Sequence, residues 1–301
     1  MNTSVNIAGV TLKNPVVTAS GTFGNGWENG QYFDLSELGA VCVKAITLKP
    51  KAGNESPRIA EVTAGILNSV GLQNPGIEHF MQYDIPYLKK FDTKIIANIS
   101  GSTVEENCEI AEILGDSVDL IELNISCPNV KHGGVAFGTR CDSVSEITGA
   151  VKKHCKVPLI VKLSPNVTDI TEIARAAEAA GADALSLINT LFGMKIDINT
   201  RRPVLANNAG GFSGPAVKPV AVRMVWQVKK AVSVPIIGMG GIMNGEDAAE
   251  FMIAGAAAVA VGTASLINPD AALTVKNGLE DYMKKHGIDD VNTLTGSIIE
   301  N

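Results

Sequence analysis

The sequence predicts a (β/α)8 TIM barrel, and two patterns together with the chain length support this fold class. Eight short apolar runs, each bounded by turn residues, recur at Val16–Ala19, Val41–Lys44, Ile95–Asn98, Leu120–Asn124, Leu159–Lys162, Ala184–Ile188, Ile236–Met239 and Ala258–Val261. Segments with helical patterning lie between most of these runs, including Val104–Leu114, Val144–Lys153, Thr171–Ala180 and Val217–Ala231. Alternating strands and helices imply a parallel sheet, eight such units imply a closed barrel, and a single barrel commonly accommodates 301 residues.

The first residues of the chain predict a small element ahead of the barrel. Residues 5–13 alternate apolar and polar side chains around Gly9, which predicts a β-hairpin that plugs the closed end of the barrel. Further along, Gly181 directly follows a helical segment and is typical of a helix stop. The sequence contains no linker or low-complexity tract, so we expect a single domain spanning residues 1–301.

The composition argues against several classes of protein. A formal net charge of −6 disfavours nucleic acid or an anionic membrane as the main partner. The amino terminus has no basic region followed by an apolar run, and no apolar stretch approaches transmembrane length, so we expect a cytoplasmic protein. The five cysteines are scattered without a C-x-x-C pair, which argues against disulfides and against a zinc or iron–sulfur site built from this chain alone.

The carboxyl ends of the eight predicted strands all carry polar side chains or glycines. In chain order these positions are Ser20, Lys44, Asn98, Asn124, Lys162, Asn189, Gly240-Gly241 and Gly262-Thr263. Enzymes with this fold place their chemistry at the carboxyl-terminal face of the barrel. Polar residues also mark strand ends that have no function, but eight such positions in register favour a shared site.

Two intervals between predicted strands are unusually long, and they run from Lys44 to Asn98 and from Asn189 to Gly240. Insertions at these places would lie over the carboxyl-terminal face as extra loops. In the first interval, Gly71 and Gly76 suit an anion-binding turn made of main-chain amides. In the second, glycines within residues 207–215 precede a helix, whose first amides could face a ligand.

Glycine-rich turns follow the last two predicted strands. Gly238-Met-Gly-Gly-Ile242 follows one strand, and Val261-Gly-Thr-Ala264 follows the next. In barrels of this class a phosphate often lies between these two loops, where glycines let main-chain amides approach it. Alternatively, these glycines only permit tight turns between a strand and a helix. Their position after the last two predicted strands favours the phosphate site. Neither turn fits the G-x-G-x-x-G pattern of a dinucleotide-binding domain.

Side chains at the predicted rim indicate what kind of ligand it would bind. Lys44 and Lys162 close otherwise apolar strands, where an ammonium group is costly unless an anion or acceptor receives it. A lysine that extends into solvent is the alternative interpretation. A single asparagine in a loop usually only stabilises a turn through hydrogen bonds to the main chain. As a set, however, four amides suggest a planar ligand with alternating N–H and C=O groups: Asn68, Asn124, Asn129 and Asn189.

The polar loop after the fourth predicted strand carries a candidate base. Cys127 lies in this loop beside strand ends that bear lysines, and a thiol with an ordinary pKa of about 8.5 can accept a proton where cations favour the thiolate. By contrast, Cys42, Cys108 and Cys155 are predicted to be small buried side chains. His132 is a rival base in the same loop, although an exposed loop residue is the interpretation that we favour for it.

These motifs resemble a known family. Asn124-Ile-Ser-Cys-Pro-Asn129, the loop Asn68-Ser-Val-Gly-Leu72 and the other strand-end residues are similar to the catalytic subunit of the dihydroorotate dehydrogenases, over nearly the whole chain. Cys127 in place of serine resembles the soluble class rather than the membrane, quinone-linked class. The run Lys131–Gly138 resembles the NAD-linked subclass, class 1B, more than the fumarate-linked homodimer.

The resemblance implies an FMN cofactor, a substrate site and a reaction. Its implied phosphate ligands are Gly240, Gly241, Gly262 and Thr263, and the rest of the cofactor site would comprise Ser20, Lys44, Ala45, Asn98, Asn124, Lys162, Ile188 and Gly214. The implied substrate ligands are Lys44, Asn68, Ser69, Val70, Gly71, Leu72, Asn124, Asn189 and Thr190. Cys127 would remove a proton from C5 of (S)-dihydroorotate while C6 gives hydride to the flavin, which forms orotate in de novo pyrimidine biosynthesis. Lys162 would stabilise the negative charge of the reduced flavin.

The resemblance also implies a partner. In the NAD-linked subclass, electrons leave through a second subunit that carries FAD and a [2Fe–2S] cluster, in a heterotetramer of two catalytic and two electron-transfer subunits. The scattered cysteines and the missing dinucleotide motif of this chain agree with that division of labour.

Other functions remain open on the residues alone. One is the fumarate-linked homodimeric enzyme of the same family. Another is a flavin-free barrel lyase or isomerase that holds a phosphorylated substrate at the same glycine turns. A third is a non-catalytic barrel that binds a small ligand as a sensor.

Overall fold

The computed structural model describes residues 1–125 and 138–301. The chain begins with an antiparallel hairpin, β1 (Val5–Ile7) and β2 (Val10–Leu12), as the alternation of residues 5–13 predicts. Val5, Ile7 and Leu12 are buried in the main core, so the hairpin packs against the barrel that follows it. The segment joining the hairpin to the first barrel strand is already part of the sheet, since Pro15 accepts a main-chain hydrogen bond from Val259.

Eight parallel strands form a closed barrel at the centre of the molecule. They are β3 (Val16–Thr18), β4 (Ala40–Cys42), β7 (Lys94–Ile99), β8 (Leu120–Asn124), β9 (Leu159–Lys162), β10 (Ala184–Leu187), β15 (Ile236–Met239) and β16 (Ala258–Val261). Their spatial order follows the chain, and β16 pairs with β3 to close the ring. The predicted barrel is therefore confirmed, and the predicted bounds of β8, β9, β15 and β16 are those observed.

Helices cover the barrel, as the strand–helix alternation predicts. The longer ones span Val104–Leu114, Cys141–Lys152, Ile170–Ala179, Lys218–Lys229, Gly245–Ala254 and Ala271–His286. Shorter helical pieces span Asn29–Gln31, Leu35–Glu37, Ile77–His79, Phe80–Asp84, Ile85–Leu88, Pro215–Val217, Ala264–Ile267 and Val291–Leu294. Within the two described ranges, no helix combines the length and the apolar character needed to cross a bilayer.

Local sequence explains where several helices begin and end. Thr103 accepts a hydrogen bond from the amide of Glu106 at 3.2 Å, and Asn244 caps the helix Gly245–Ala254 through the amide of Asp247 at 2.9 Å. Gly181 has a φ of 102° and follows Ala180, the C-cap residue of the helix Ile170–Ala179, which confirms its predicted role as a helix stop.

The two long insertions meet and form one additional sheet. The first insertion supplies β5 (Ile59–Val62) and β6 (Gly65–Asn68), and the second supplies β11 (Leu191–Met194) and β14 (Ala209–Ser213). The strand order is β11-β14-β6-β5, so β14 and β6 join the insertions, with Gly211 opposite Asn68. A smaller pair, β12 (Ile196–Asp197) and β13 (Arg202–Pro203), extends the second insertion.

Of the two expectations about insertion glycines, the one for the amide of Gly76 is wrong and the one for residues 207–215 is confirmed as far as a helix follows them. The amide of Gly76 donates to Asn74 Oδ1 at 2.8 Å, so it is not available to an anion. The glycines of residues 207–215 precede a helix as predicted, since Gly210 and Gly211 lie within β14 and Gly214 directly precedes the helical turn Pro215–Val217 and the helix Lys218–Lys229. A Cβ at Gly210 would approach the Asn68 carbonyl oxygen to 2.4 Å, so close strand pairing is the reason for glycine there.

Candidate active site

A cleft opens at the carboxyl-terminal face of the barrel, beside the insertion sheet. Most of the predicted strand-end residues line it, and they are Ser20, Lys44, Asn124, Lys162, Asn189, Gly240, Gly241, Gly262 and Thr263. Among the other predicted site residues, the cleft is lined by Ala45, Asn68, Val70, Gly71, Leu72, Ile188 and Thr190. Parallel strands and two remote insertions thus bring residues from the whole chain to one place.

Three predicted site residues do not line this cleft. Asn98 and Ser69 are fully buried, and their Oδ1 and Oγ atoms have no hydrogen-bond partner among the described residues. Gly214 lies behind the glycine turn after β15, because a Cβ built on Gly241 would be 2.9 Å from the Gly214 carbonyl oxygen. Cys127, Asn129 and His132 lie outside the described residues.

The floor of the cleft contains a buried ion pair. Lys162, at the end of β9, lies with its Nζ 3.7 Å from Glu122 Oε1, and it donates to Ser20 Oγ at 3.3 Å. The two side chains of the pair are only 6% and 3% exposed. Asn98 and Ser186 also donate to the Glu122 carboxylate, at 2.5 and 2.6 Å. Lys162 therefore presents a buried, structurally fixed positive charge to the cleft.

Cys42 belongs to the same buried network and is not a reactive thiol. Its Sγ donates to Glu122 Oε1 at 3.4 Å. Burial, followed by the negative charge of Glu122, raises the pKa of the Cys42 thiol well above its usual range. The predicted burial of Cys42 is confirmed, and the structure adds a polar contact for its thiol. Cys108, Cys155 and Cys141 are free as well, and the first two are only partly buried.

The glycine turn after β15 is shaped by close packing. Gly240 and Gly241 have φ values of 127° and 82°, a backbone conformation that glycine adopts without strain. A Cβ on Gly241 would lie 3.0 Å from the amide nitrogen of Lys218, at the start of a helix. That helix is held in turn by Lys218, whose ammonium donates to Asp247 at 2.6 Å. The turn consequently exposes main-chain atoms, and no side chain, to the cleft.

The glycine turn after β16 is tied to the insertion sheet. Thr263 donates through Oγ1 to Ser213 Oγ at 2.8 Å, and Ser213 ends β14. Since Gly214 backs the other turn, the segment Ser213–Gly214 touches both glycine turns. The two turns line one cleft, as the prediction of a shared site between strands seven and eight requires.

Amide side chains form another part of the cleft wall. Asn189 Nδ2 donates to Asn124 Oδ1 at 3.5 Å, and the amide of Thr190 donates to Asn189 Oδ1 at 2.8 Å. Asn68 reaches the wall from β6, where its Nδ2 donates to the Gly211 carbonyl at 3.3 Å. Three of the four predicted amides thus meet at the cleft, from the end of β8, the segment after β10 and the first insertion, while Asn129 lies outside the described residues. Together with Lys44 and Lys162, these three suit a flat, negatively charged ligand that is rich in hydrogen-bonding groups.

The sequence-based prediction missed two features of the cleft, namely its apolar lining and the pairing of Lys162 with Glu122. Apolar side chains line part of the cleft, and they include Ile66, Phe212, Val217 and Met239. Their contribution depends on the joint insertion sheet, which no local pattern reveals. Glu122 had a detectable signal, because it is an acidic residue inside an apolar run of a strand that is buried on both faces.

Comparison with known proteins identifies the family. The family model described as dihydroorotate dehydrogenase matches residues 2–283.

The chain belongs to the dihydroorotate dehydrogenase family.

Curated members of the dihydroorotate dehydrogenase family resemble the chain along its full length. A protein of Alkaliphilus metalliredigens, named dihydroorotate dehydrogenase B (NAD(+)), catalytic subunit, is 63% identical over 299 residues, which cover 99% of each chain. A protein of the same name from Lachnoclostridium phytofermentans is 59% identical, over 99% of this chain and 100% of that one. The resemblance inferred from the strand-end motifs is therefore confirmed.

A solved dihydroorotate dehydrogenase structure has the same fold. The crystal structure of the Eimeria tenella enzyme in complex with ferulenol superposes with a TM-score of 0.82 at 26% sequence identity. The match covers 98% of this chain and 88% of that chain. The fold is thus shared with that enzyme over 98% of this chain.

Proposed function

We propose that this chain is the catalytic subunit of an NAD-linked dihydroorotate dehydrogenase, which oxidises (S)-dihydroorotate to orotate in the de novo synthesis of UMP. The observation that carries the proposal is the 63% identity, over 99% of each chain, to a protein named as such a subunit. The chemistry of the cleft supports the same function independently, because it combines cationic, amide and main-chain groups at one barrel mouth.

The residues of the cleft fit FMN. A phosphate would be held at Gly240, Gly241, Gly262 and Thr263, where packing excludes side chains from the turn after β15. The proposed contacts along the rest of the flavin that line the cleft are Ser20, Lys44, Ala45, Asn124, Lys162 and Ile188. The family resemblance adds Asn98 and Gly214, which lie behind the cleft lining. Asn98 Oδ1 is buried and has no partner among the described residues, which is consistent with a buried acceptor that a ligand or water satisfies.

The amide wall and Lys44 suit dihydroorotate as substrate. Its ring alternates N–H and C=O groups, and asparagine offers the complementary donor and acceptor in one plane. Its carboxylate would be received by Lys44 and by the loop after β6. The proposed substrate ligands that line the cleft are Lys44, Asn68, Val70, Gly71, Leu72, Asn124, Asn189 and Thr190. The family resemblance adds Ser69, which is buried behind them.

The proposed chemistry needs one base and one electron acceptor. Cys127 removes the proton from C5, which is alpha to a carbonyl, so a weak base suffices if it is well positioned. The residues named above would hold FMN, which would supply the acceptor for the hydride from C6. Lys162 holds a positive charge at the floor of the cleft, where it favours a negatively charged reduced cofactor.

The proposed route for the electrons runs through a second protein. The name of the relatives, a catalytic subunit of an NAD-linked enzyme, supports a partner subunit. From the family resemblance we propose that this partner carries FAD and a [2Fe–2S] cluster, in a heterotetramer of two catalytic and two electron-transfer subunits. We place the assembly in the cytoplasm, and we propose that residues 1–301 of the catalytic chain act as one FMN-binding domain.

Purification and anaerobic mixing test this proposal. The purified chain should be yellow or should become so with FMN, and dihydroorotate should bleach it without oxygen. Colourless protein that cannot be loaded with FMN would overturn the proposal. Co-purification of a second, iron-containing polypeptide supports the NAD-linked assembly, whereas efficient fumarate reduction by this chain alone would point to the homodimeric subclass.

A further inference from the structure

Glu122 is a charged residue inside the barrel, and the reaction proposed above gives it no role. It lies in the middle of β8 and is only 2% exposed. Three neutral donors converge on its carboxylate: Asn98 Nδ2 at 2.5 Å, Ser186 Oγ at 2.6 Å and Cys42 Sγ at 3.4 Å. The ammonium of Lys162, 3.7 Å away, is the fourth group on it.

The strand register places Glu122 below Lys162, on the side away from the cleft. Asn124 is paired with Lys162 across β8 and β9, while Glu122 is paired with Ile160, two residues earlier. Lys162 lines the cleft, and Glu122 does not. The carboxylate therefore lies one layer deeper in the barrel than the ammonium, with the cleft above them both.

This arrangement is more specific than burial of the lysine requires. A buried carboxylate is costly, and its cost is offset only where donors satisfy it on all sides. Here Asn98, Ser186 and Cys42 hold the carboxylate in a fixed place from β7, β10 and β4, so that it provides a rigid counter-charge. A lysine needed only to bind an anion from the cleft would not require an internal carboxylate.

We propose that Glu122 is a positioning residue that fixes the Lys162 ammonium beneath the cofactor and partly offsets its charge. The inference rests on the proposed function, since it assigns Lys162 to the flavin. In this arrangement the cofactor faces a lysine–glutamate pair and not an isolated cation. The pair lowers the preference of the site for the more negative, reduced form of FMN, and so sets the reduction potential.

Glu122→Gln tests the proposal, because it keeps the shape of the side chain and removes its charge. The reduced form should gain affinity over the oxidised form by about tenfold, which raises the two-electron FMN potential by about 30 mV. A redox titration against a reference dye measures this shift, and FMN titration of the apoprotein measures affinity separately. Disruption of the fold would weaken both redox forms alike and would leave the potential unchanged.

Glu250→Gln is the matched control. Glu250 also pairs with a lysine, Lys218, at 2.7 Å, but it is 47% exposed and does not line the cleft. Its removal should leave the potential at the wild-type value. Glu122→Asp retains the charge at a greater distance from Lys162, so its potential should fall between those of the wild type and Glu122→Gln.

The possible outcomes separate this inference from the proposed function. Wild-type protein that binds no FMN, or that dihydroorotate cannot reduce, would overturn both. A functional wild type with an unshifted Glu122→Gln variant would overturn the role of Glu122 alone. If Glu122→Gln does not fold, Glu122→Asp decides: a raised potential supports the role, and a wild-type potential refutes it.

Discussion

The hydroxyl of Thr263 donates to the hydroxyl of Ser213 at 2.8 Å, which ties the turn after the last barrel strand to the insertion sheet. Ser213 ends β14, the strand that joins the two insertions through its pairing with β6. A contact between two side chains 50 residues apart thus connects the proposed phosphate site with the sheet that carries Asn68. The connection makes the position of the turn depend on the insertions.

Ser213→Ala should weaken FMN binding. The substitution removes the acceptor of the hydrogen bond that the Thr263 hydroxyl donates. Because such a hydrogen bond contributes about 1 kcal/mol, the affinity for FMN should fall roughly five- to tenfold. Fluorescence titration of apoprotein with FMN measures it. Ser297→Ala is the control, because that hydroxyl donates to the Leu294 carbonyl near the carboxyl terminus. Equal FMN affinity in the two variants would show that the contact does not support the site.

Gly241→Ala should cost both stability and FMN affinity. Gly241 has a φ of 82°, and a Cβ there would lie 2.8 Å from Lys218 Cβ and 2.9 Å from the Gly214 carbonyl oxygen. The left-handed backbone alone costs roughly 1–2 kcal/mol for alanine, and the clash adds to it by moving the turn. Thermal unfolding and FMN titration measure the two effects.

Gly9→Ala is the control that separates backbone strain from displacement of the glycine turn after β15. Gly9 has a similar φ of 89°, but a Cβ there has no atom within 4 Å among the described residues. It should lower stability by the backbone cost alone and leave FMN affinity intact. If Gly241→Ala behaves in the same way as Gly9→Ala, the turn after β15 does not hold the cofactor.

Cys127→Ala should retain FMN but slow its reduction by dihydroorotate. Removal of a general base typically costs about 10²–10⁴ in rate, and cofactor binding does not depend on the base. Stopped-flow absorbance under anaerobic conditions measures the rate. Cys141→Ala, which removes an exposed thiol, is the control and should reduce at the wild-type rate. Wild-type reduction in Cys127→Ala would assign the proton transfer to another group.

Cys155 should make the fold less stable at high pH. Burial is the main cause that raises the pKa of its thiol to about 12. An unfolded thiol ionises near pH 8.5, about the reference value, while the folded state keeps its proton. Above pH ~8.5 the thiol of Cys155 therefore ionises in the unfolded state but not in the folded state. This ionisation favours unfolding, so the free energy of unfolding falls as the pH rises from about 8.5 towards 12.

Chemical denaturation across that pH range measures the effect. Cys155→Ala should lose less stability than the wild type between pH ~8.5 and ~12, because the variant has no thiol to ionise at this position. Cys141→Ala serves as a control for the loss of an exposed thiol. Parallel stability curves for wild type and Cys155→Ala would contradict the raised pKa.

The strands of the barrel could be predicted from local sequence, whereas the pairing between distant segments could not. Strands such as Leu159–Lys162 are short apolar runs that end in a polar residue, so their bounds are visible in the sequence. The insertion sheet depends on Asn68 meeting Gly211, which is 143 residues away, and neither segment has a pattern that identifies the other. Phe212 and Ile66 therefore could not be predicted as cleft residues.

In the candidate site, too, local sequence predicted some features, whereas contacts between distant residues could not be predicted. The position of Gly240 and Gly262 at the cleft was predictable because turns that follow parallel barrel strands lie at one face of the barrel. The Lys162–Glu122 pair was not, because the sequence shows that both residues lie in buried strands but not which neighbour each side chain meets. Asn98 illustrates the limit further, since it ends a predicted strand and yet turns inward to Glu122 instead of lining the cleft.

The most direct test of the account is the anaerobic mixing of FMN-loaded protein with dihydroorotate, followed through the visible absorption of the flavin. The account predicts that the absorption bleaches within a single turnover and that orotate forms in an amount equal to the flavin reduced. Flavin that stays oxidised in the presence of excess dihydroorotate would contradict it.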